Sequence, residues 1–350
     1  MKKKWNKKSL GGFINYGIVI AAYLILQVFM NLGMVSNSLQ SLLVPTCCYV
    51  VMAVSLNLTV GILGELSLGH AGFMSLGAFS GIVASILLQS AIPFTPLRLA
   101  VSMAVGALAG ALGGVIVGVP VLRLQGDYLA IVTLAFGQII KNIIMVLYVG
   151  VDETGIHIAA SSERFNLSPD GVAIIKGPMG AVGVTKLATF TAGFILILIT
   201  LLVVQNLVNS RAGRAIMALR DNRIAAESVG INVTKYKLMA FVISAALAGA
   251  AGALFGLNYS STVSSKFDFN TSILVLVFVV LGGLGSIRGS MIAAALLYVL
   301  PELLRSFDVA EYRMLIYAVI LILVMLATNN PTIQDFINTK FRKKKKGAAK

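Results

Sequence analysis

The sequence predicts an all-α fold, a polytopic transmembrane bundle of about ten membrane segments with glycine-broken helices and both termini in the cytoplasm. Of its 350 residues, 58% are hydrophobic and only 12% are charged, whereas a soluble domain has about 25% charged residues. Apolar stretches of about 20 residues, the length that crosses a bilayer as a helix, recur along the chain. The chain therefore belongs to the class of helical membrane proteins.

The distribution of basic residues predicts the orientation. With ten crossings and both termini inside, the inner segments collect about twenty Lys and Arg and the outer segments about seven. Cytoplasmic loops carry such an excess of Lys and Arg in helical membrane proteins. The net charge of +15 is concentrated at the two ends, which we expect to anchor the protein on anionic membrane lipid. No nucleic-acid-binding signature accompanies this charge, so nucleic acid is excluded as a partner.

The predicted order begins with a basic N-terminus (1–12), followed by a transmembrane domain (13–330) and a basic tail (331–350). The first span is too long for a signal-peptide core, so we expect it to be retained. The eighth and ninth segments are short and could instead form a re-entrant hairpin. The predicted spans are approximately 13–34, 39–60, 74–89, 99–122, 128–149, 187–208, 238–259, 271–281, 291–304 and 314–328.

Glycines interrupt or line several of these spans. In the fourth, Gly106, Gly110, Gly114 and Gly118 recur every four residues, and such a face favours close helix packing in lipid. The first glycine break, 61–73, follows the second span and is either a structural turn or gate, or a substrate contact, because broken helices frame many transport sites. A second break, 282–289, has a similar composition. The candidate pathway or gate residues of the first break are Gly64, Glu65, Ser67, Gly69 and His70.

The fifth span contains Gln138 and Lys141. Ionisable residues in a membrane span are costly and commonly functional, so both are candidate pathway residues. The alternative is that Lys141 reaches the membrane surface with its long side chain, or that it pairs with another helix. The outer loop that follows, 150–186, is long enough to be functional or to contain short helices of its own.

The central loop, 210–237, is charged and cannot cross a membrane, so it is predicted to lie in the cytosol. Asp221 or Asn222 is a candidate N-cap, and Gly230 is placed where a helix needs a left-handed residue to end. The pattern predicts a helix of about two turns. Isolated helices this short are marginal in water, so this one needs support from the membrane surface or from another protein.

Catalytic and metal-binding patterns are missing from the sequence. No P-loop (G-x-x-x-x-G-K-[ST]) and no H-E-x-x-H motif occurs, so we expect no enzymatic activity and no bound metal or other cofactor. The two cysteines, Cys47 and Cys48, are adjacent in an apolar run and are predicted to be packing residues. Three classes of function remain, an ATP-driven transporter, an ion-coupled secondary transporter and a membrane scaffold. A transporter fits the glycine breaks best.

Four blocks of sequence resemble one family. They are GELSLGHAGFMSLGAF at 64–79, GDYLAIVTLAFGQI at 126–139, GRAIMALRDNRIAAESVGINVTKYKLMAFVISAALAGAAGALF at 213–255 and VLGGLGSIRGSMIAAALL at 280–297. In content and order they resemble the permease family of branched-chain amino acid ABC transporters, in particular the M-type subunit. The family commonly has Glu where this chain has Gln138.

The resemblance implies a subunit of an ATP-driven importer in the bacterial inner membrane that moves leucine, isoleucine and valine. A second, H-type permease subunit, two cytosolic ATPase subunits that bind ATP and Mg²⁺, and an extracytoplasmic binding protein are implied as partners. Urea, short amides or another amino acid are the alternative solutes. The resemblance also implies that the central loop docks on an ATPase, with the coupling residues Arg220, Asp221, Asn222, Arg223, Ala225, Ala226, Glu227 and Gly230.

Overall fold

The computed structural model describes residues 7–305, except 35, 123, 125, 153–154, 166 and 169–170, together with 318–319 and 322. The basic residues 1–6, nearly all of the tenth predicted span (314–328) and the tail 331–350 lie outside the described residues. The chain divides into two compact units, 1–295 and 296–350. The central loop and both glycine breaks lie in the first unit.

Helices make up most of the described chain, and the first nine predicted spans correspond to helices. Their bounds are α1 Lys7–Asn31, α2 Asn37–Asn57, α3 His70–Leu87, α4 Thr95–Val121, α5 Asp127–Val146, α6 Phe190–Asn209, α7 Arg211–Asp221, α8 Arg223–Ser228, α9 Val233–Gly256, α10 Phe269–Gly282 and α11 Ile287–Arg305. A π-helical turn, Leu58–Leu63, continues α2.

Seven helical segments among the described residues are long and apolar enough to cross a membrane. They are Asn37–Leu63, His70–Leu87, Thr95–Val121, Asp127–Val146, Phe190–Asn209, Val233–Gly256 and Ser264–Gly282. A shorter apolar segment, Asn15–Asn31, precedes them. A polytopic helical bundle follows from these segments. The number of ten crossings and the side of each terminus stay predictions.

The centre of the bundle is built from α2, α3, α4 and α9. In α2 the two cysteines are buried free thiols, in agreement with a packing role. The glycine face of α4 lies against α9, where a Cβ on Gly110 would be 3.0 Å from the Cα of Gly249 and a Cβ on Gly114 would be 2.7 Å from the Cβ of Ala245. Gly106 and Gly118 also face α9, towards Ala253 and Leu238. The two helices can approach this closely because no side chain separates their backbones.

The expectation of an all-α fold is incomplete, because the outer loop contains strands. These are β1 Tyr148–Asp152, β2 Gly155–Ala159, β3 Val172–Lys176 and β4 Ala181–Val182, and β5 Ser261–Thr262 joins them after α9. They form an antiparallel sheet in the order β2-β1-β3-β4-β5. Buried backbone N–H and C=O groups need hydrogen-bond partners, and strand pairing supplies many of them here. The loop also contains two short 3-10 helices, Ser162–Arg164 and Gly177–Met179.

Candidate functional site

The central loop contains two helices, α7 and α8, each with a side-chain cap. Ser210 accepts a hydrogen bond from the Gly213 N–H at 3.1 Å and begins α7. Asn222 accepts one from the Ala225 N–H at 3.0 Å and begins α8. Each cap satisfies a backbone donor that the first turn of a helix leaves free. The predicted short helix thus corresponds to α8, with Asn222 and not Asp221 as its cap, while α7 was not predicted.

The end of α8 is set by Gly230, whose φ is +85°. The N–H of Ile231 donates to the Ala226 carbonyl oxygen at 3.1 Å, and the N–H of Gly230 donates to the Glu227 carbonyl oxygen at 3.0 Å. A left-handed residue that closes such bonds is a common helix C-terminus, and glycine adopts it without strain. The chain then turns sharply towards α9.

The two small residues of α8 lie in different environments. Ala226 is buried against Leu219 of α7 and Val233 of α9, so it stabilises the loop from within and is not available to a partner. Ala225 is exposed, as are Glu227 and Gly230, while Arg223 is half-buried. Among the described residues Arg223 and Glu227 form no ion pair. The outer surface of α8 therefore combines a small residue with charged side chains.

Two apolar side chains also lie on this outer surface. Ile224 is 81% exposed and Val229 is 75% exposed. The sequence analysis missed both, although an isoleucine two residues after a helix cap in a charged loop is a detectable signal. Contiguous exposed apolar surface is typical of a protein or membrane contact, whereas single exposed apolar side chains are common.

Arg220 connects the central loop to the first glycine break. Its Nη1 donates to the carbonyl oxygen of Gly61 at 3.2 Å, and its Nε and Nη2 donate to the Asp221 carboxylate at 3.1 and 3.0 Å. The stem of Arg220 lies over Gly64, where a Cβ would be 2.6 Å from the Arg220 Cγ. Gly64 also has φ +82°. The break is therefore shaped to receive the end of α7.

A buried ion pair makes a second connection. The Lys237 ammonium near the start of α9 contacts the Glu65 carboxylate in the first break. The side chain of Lys237 is 5% exposed and that of Glu65 is 16% exposed. Each charge compensates the other at a place where a single charge would be costly. Glu65 thus has a structural partner 172 positions away along the chain.

The two glycine breaks meet each other at the same place. The backbone N–H of Gly285 in the second break donates to Asn57 Oδ1 at 2.8 Å. The backbones also approach closely, since a Cβ on Gly285 would be 3.3 Å from the Gly61 carbonyl oxygen. The π-helical turn between Asn57 and Gly64 therefore contacts both the second break and α7. π-turns of this kind frequently occur at functional sites.

The remaining polar residues of the first break hold helices together inside the bundle. His70 is 2% exposed, and its Nε2 lies 2.8 Å from the Ser55 hydroxyl. The backbone of Gly69 lies against Thr133 of α5, whose hydroxyl accepts from the Leu68 N–H at 3.1 Å. These contacts favour the structural alternative for His70 and Gly69. The buried hydroxyl of Ser67 has no hydrogen-bond partner among the described residues.

Gln138 and Lys141 lie apart from the contacts between the central loop and the two breaks. Both are half-buried on α5, and neither makes a hydrogen bond or an ion pair within the described part of the chain. Gly137, four residues before Lys141, packs against Gly69 of the first break. Since α5 ends at Val146, Lys141 is five residues from the end of the helix. Its ammonium can approach the membrane surface more easily from there.

The polar contacts at this place connect several elements of the protein. No cluster of three or more His, Cys, Asp or Glu side chains that could hold a metal occurs among the described residues. Instead, α7, the first break, the second break and the start of α9 are joined by directed polar contacts. We call this set of contacts the loop–break junction. α8 packs against two of these elements, α7 and α9, through Ala226.

Comparison with known proteins identifies the family. The profile of the family described as branched-chain amino acid transport system / permease component matches residues 38–325. The chain is 33% identical to the high-affinity branched-chain amino acid transport system permease protein LivM of Salmonella typhimurium over 321 residues, which cover 84% of this chain and 69% of that protein.

Further relatives support this result. The LivM protein of Escherichia coli is 32% identical over 341 residues, or 90% of this chain and 74% of that protein. The permease protein LivH of Salmonella typhimurium is 36% identical over 117 residues, a third of this chain and 38% of that protein. No solved structure matches the chain. The family match covers most of the sequence and includes both glycine breaks, and the chain therefore belongs to the branched-chain amino acid transport permease family.

Proposed function

We propose that this chain is the membrane-spanning permease subunit of an ATP-driven importer that moves leucine, isoleucine and valine into the cell. The observation that carries the proposal is the loop–break junction, in which α7 and the start of α9 contact the first break. The short helix α8 packs against both of these helices through Ala226. Similarity to LivM over most of the chain supports the class of solute. The chain itself has no ATP-binding motif, so a partner must supply ATP hydrolysis.

In this proposal α8 is the coupling helix, and the end of the bundle that holds the central loop faces the cytosol of a bacterial cell. Two ATPase subunits bind Mg²⁺ and ATP there and push on α8. Arg220 and Glu65 pass the movement to the first break, and Gly285 passes it to the second. An excess of basic residues at this end agrees with a cytosolic location in the inner membrane.

A second permease subunit completes the pathway. Less than a third of the hydrophobic window of α5 is buried within this chain, and α5 contains Gln138 and Lys141, two polar residues that have no partner among the described residues. The similarity to LivH over a third of the chain agrees with an H-type partner of related fold. We place the solute pathway between the two subunits, along α5, and the external binding protein at the end that contains the β-sheet.

Uptake and ATP hydrolysis measured together test the proposal. Cells that lack this chain should lose ATP-dependent uptake of radiolabelled leucine, isoleucine and valine, and should regain it from a plasmid copy. Unchanged branched-chain uptake with loss of urea or amide uptake would assign a different solute to the same machinery. Uptake that follows an ion gradient and continues after ATP depletion would refute the ATP-driven mechanism.

A further inference from the structure

The strand β2 lies at one edge of the outer sheet. It pairs with β1 on one side, and no described strand pairs with its other side. A free strand edge presents unpaired backbone N–H and C=O groups, and natural proteins commonly protect it with charged residues or proline. Residues 155–162, GIHIAASS, contain no Lys, Arg, Asp, Glu or Pro. The free edge of β2 is therefore unprotected by its own sequence.

The register of the hairpin shows which backbone groups point away from the sheet. Asp152 is paired with Gly155, and only two residues separate them, so this pair exchanges hydrogen bonds at the closed end of the hairpin. Hydrogen-bonded and non-hydrogen-bonded pairs alternate along an antiparallel ladder. The pairs that Ile156 and Ile158 form with β1 are consequently of the second kind. The N–H and C=O groups of both isoleucines point to the free edge.

The side chains of the same two isoleucines are exposed on one face of the sheet. Ile156 is 54% exposed and Ile158 is 69% exposed, and side chains two residues apart in a strand lie on the same face. Val149, which lies opposite Ile158, is only 5% exposed. The protein thus covers this face as far as β1 and leaves β2 uncovered. Two neighbouring apolar side chains therefore accompany the free backbone groups.

The other face of β2 is held by the protein itself. His157 Nε2 lies 2.9 Å from Asp152 Oδ1, and the other carboxylate oxygen of Asp152 accepts from the N–H and the hydroxyl of Ser168. On the same face a Cβ on Gly150 would be 2.8 Å from the Phe165 ring. These contacts hold β2 in the sheet, so its free edge has a strand conformation before any partner binds.

An additional strand is the occupant that this edge fits. Strand addition uses main-chain hydrogen bonds for affinity and alternate side chains for specificity. Lipid tails offer no hydrogen bonds, and unpaired backbone is unfavourable in hydrocarbon. A partner that dissociates in each transport cycle would return both isoleucines to water, whereas permanent interfaces are more hydrophobic than transient ones. The edge therefore fits an extended, uncharged segment of a permanently bound protein.

We propose that β2 binds an extended apolar segment of the second permease subunit, which adds to the sheet as a sixth strand. A single residue separates β1 from α5. The end of α5 also exposes apolar side chains, with Ile143 at 55% and Val146 at 53%, so the added strand continues the subunit contact along α5. This inference rests on the proposed function, because that function requires a second permease subunit.

Amide hydrogen exchange tests the proposal without any substitution. The full-length chain alone in detergent is compared with the assembled transporter, purified without its binding protein. The outward N–H groups of Ile156 and Ile158 should exchange at least about tenfold more slowly in the assembled transporter. The N–H of His157 is bonded within the hairpin, so it should be slow in both samples and reports that the hairpin is folded.

The outcomes separate this inference from the proposed function. Equal exchange of the two isoleucine amides in both samples, together with normal leucine uptake, would refute the added strand alone. Absence of a second permease subunit from the purified transporter would refute both the added strand and the proposed function.

Photo-crosslinking identifies the occupant. Ile158→p-benzoylphenylalanine in cells should crosslink to the second permease subunit. The control is the same substitution at Val182, an exposed residue of β4, which lies three strands away from the free edge and should give no such crosslink. A crosslink from position 158 to the binding protein or to another copy of this chain would overturn the proposal, as would one to lipid alone or none at all.

A proline variant tests strand addition itself. Ile158→Pro removes an outward N–H and leaves the ladder with β1 intact. The crosslink from p-benzoylphenylalanine at position 156 should then fall about tenfold, whereas Ile158→Val retains the N–H and should preserve it. Should Ile158→Pro unfold the hairpin, the exchange measurement decides. A crosslink that is equal in the proline and valine variants would overturn strand addition.

Discussion

The guanidinium of Arg220 donates a hydrogen bond to the carbonyl oxygen of Gly61 across 3.2 Å. This bond links the end of α7, in the polar central loop, to a π-helical turn that ends a membrane helix. The carbonyl oxygen of residue 61 cannot be altered by substitution, whereas the arginine can. The bond therefore offers a direct way to separate coupling from assembly.

Arg220→Gln should lower leucine uptake about tenfold, because a hydrogen bond from a charged donor contributes about 1.5–3 kcal/mol. ATP hydrolysis by the assembled complex should continue, since the proposed docking surface on α8 is unchanged. Arg211→Gln is the matched control, because Arg211 is an exposed arginine on the same helix with no partner among the described residues. Parallel assays of uptake and ATPase activity decide, and equal uptake by the two variants would contradict a coupling role for Arg220.

The ion pair of Glu65 and Lys237 should stabilise the protein, and the effects of substituting its two residues should not be additive. Glu65→Gln leaves a buried ammonium without compensation, at a cost of about 3–5 kcal/mol. The double variant Glu65→Gln/Lys237→Met removes both charges and should recover much of that loss. Thermal unfolding in detergent measures the effect, with the exposed Glu163→Gln as control. Additive losses in the double variant would show that the two residues are not coupled.

Hydropathy alone was sufficient to predict nine of the helices, because a membrane span needs about 20 apolar residues wherever it packs. The sequence also predicted the N-cap of α8, as Asp221 or Asn222, and its end at Gly230, since helix caps depend on only a few neighbouring residues. The ion-pair partner of Glu65 could not be predicted, because Lys237 is 172 residues away and the sequence contains no sign of that pairing. The strands of the outer loop were missed because they are at most five residues long and interrupted by glycines.

The exposed apolar residues of α8 should form the centre of an ATPase contact. Ile224→Asp places a charge where an interface would exclude water, and truncation of such central residues commonly costs at least about 2 kcal/mol. We expect co-purification of the ATPase subunits to fall more than about tenfold, while membrane insertion stays normal. Val172→Asp, on an exposed apolar residue of β3 (57%), is the control. Retention of the ATPase by the Ile224 variant would exclude α8 as the docking element.

The glycine face between α4 and α9 should not tolerate side chains. Gly110→Leu forces a large side chain into a space where even a Cβ would be 3.0 Å from the Gly249 Cα, and overpacking of this kind costs typically about 1–3 kcal/mol or more. The variant should be depleted from the membrane fraction and unfold at lower temperature. In Gly17→Leu the same change falls on an exposed glycine of α1 with no atom within 4 Å of its Cβ position. Comparable expression of both variants would disprove a close-packed α4–α9 contact.

The side chain of Lys141 should affect binding of the solute and not the stability of the fold. It is half-buried near the end of α5 that leads into β1, and a lysine in a span is retained at a cost that usually marks function. If its ammonium attracts the carboxylate of an incoming amino acid, Lys141→Met should raise the KM for leucine about tenfold and leave kcat nearly unchanged. Lys141→Arg keeps the charge and should preserve the KM. Measured uptake kinetics at several leucine concentrations separate this effect from instability, which would lower Vmax through the amount of protein and leave the KM unchanged. An unchanged KM in Lys141→Met would mean that the side chain only extends to the membrane surface.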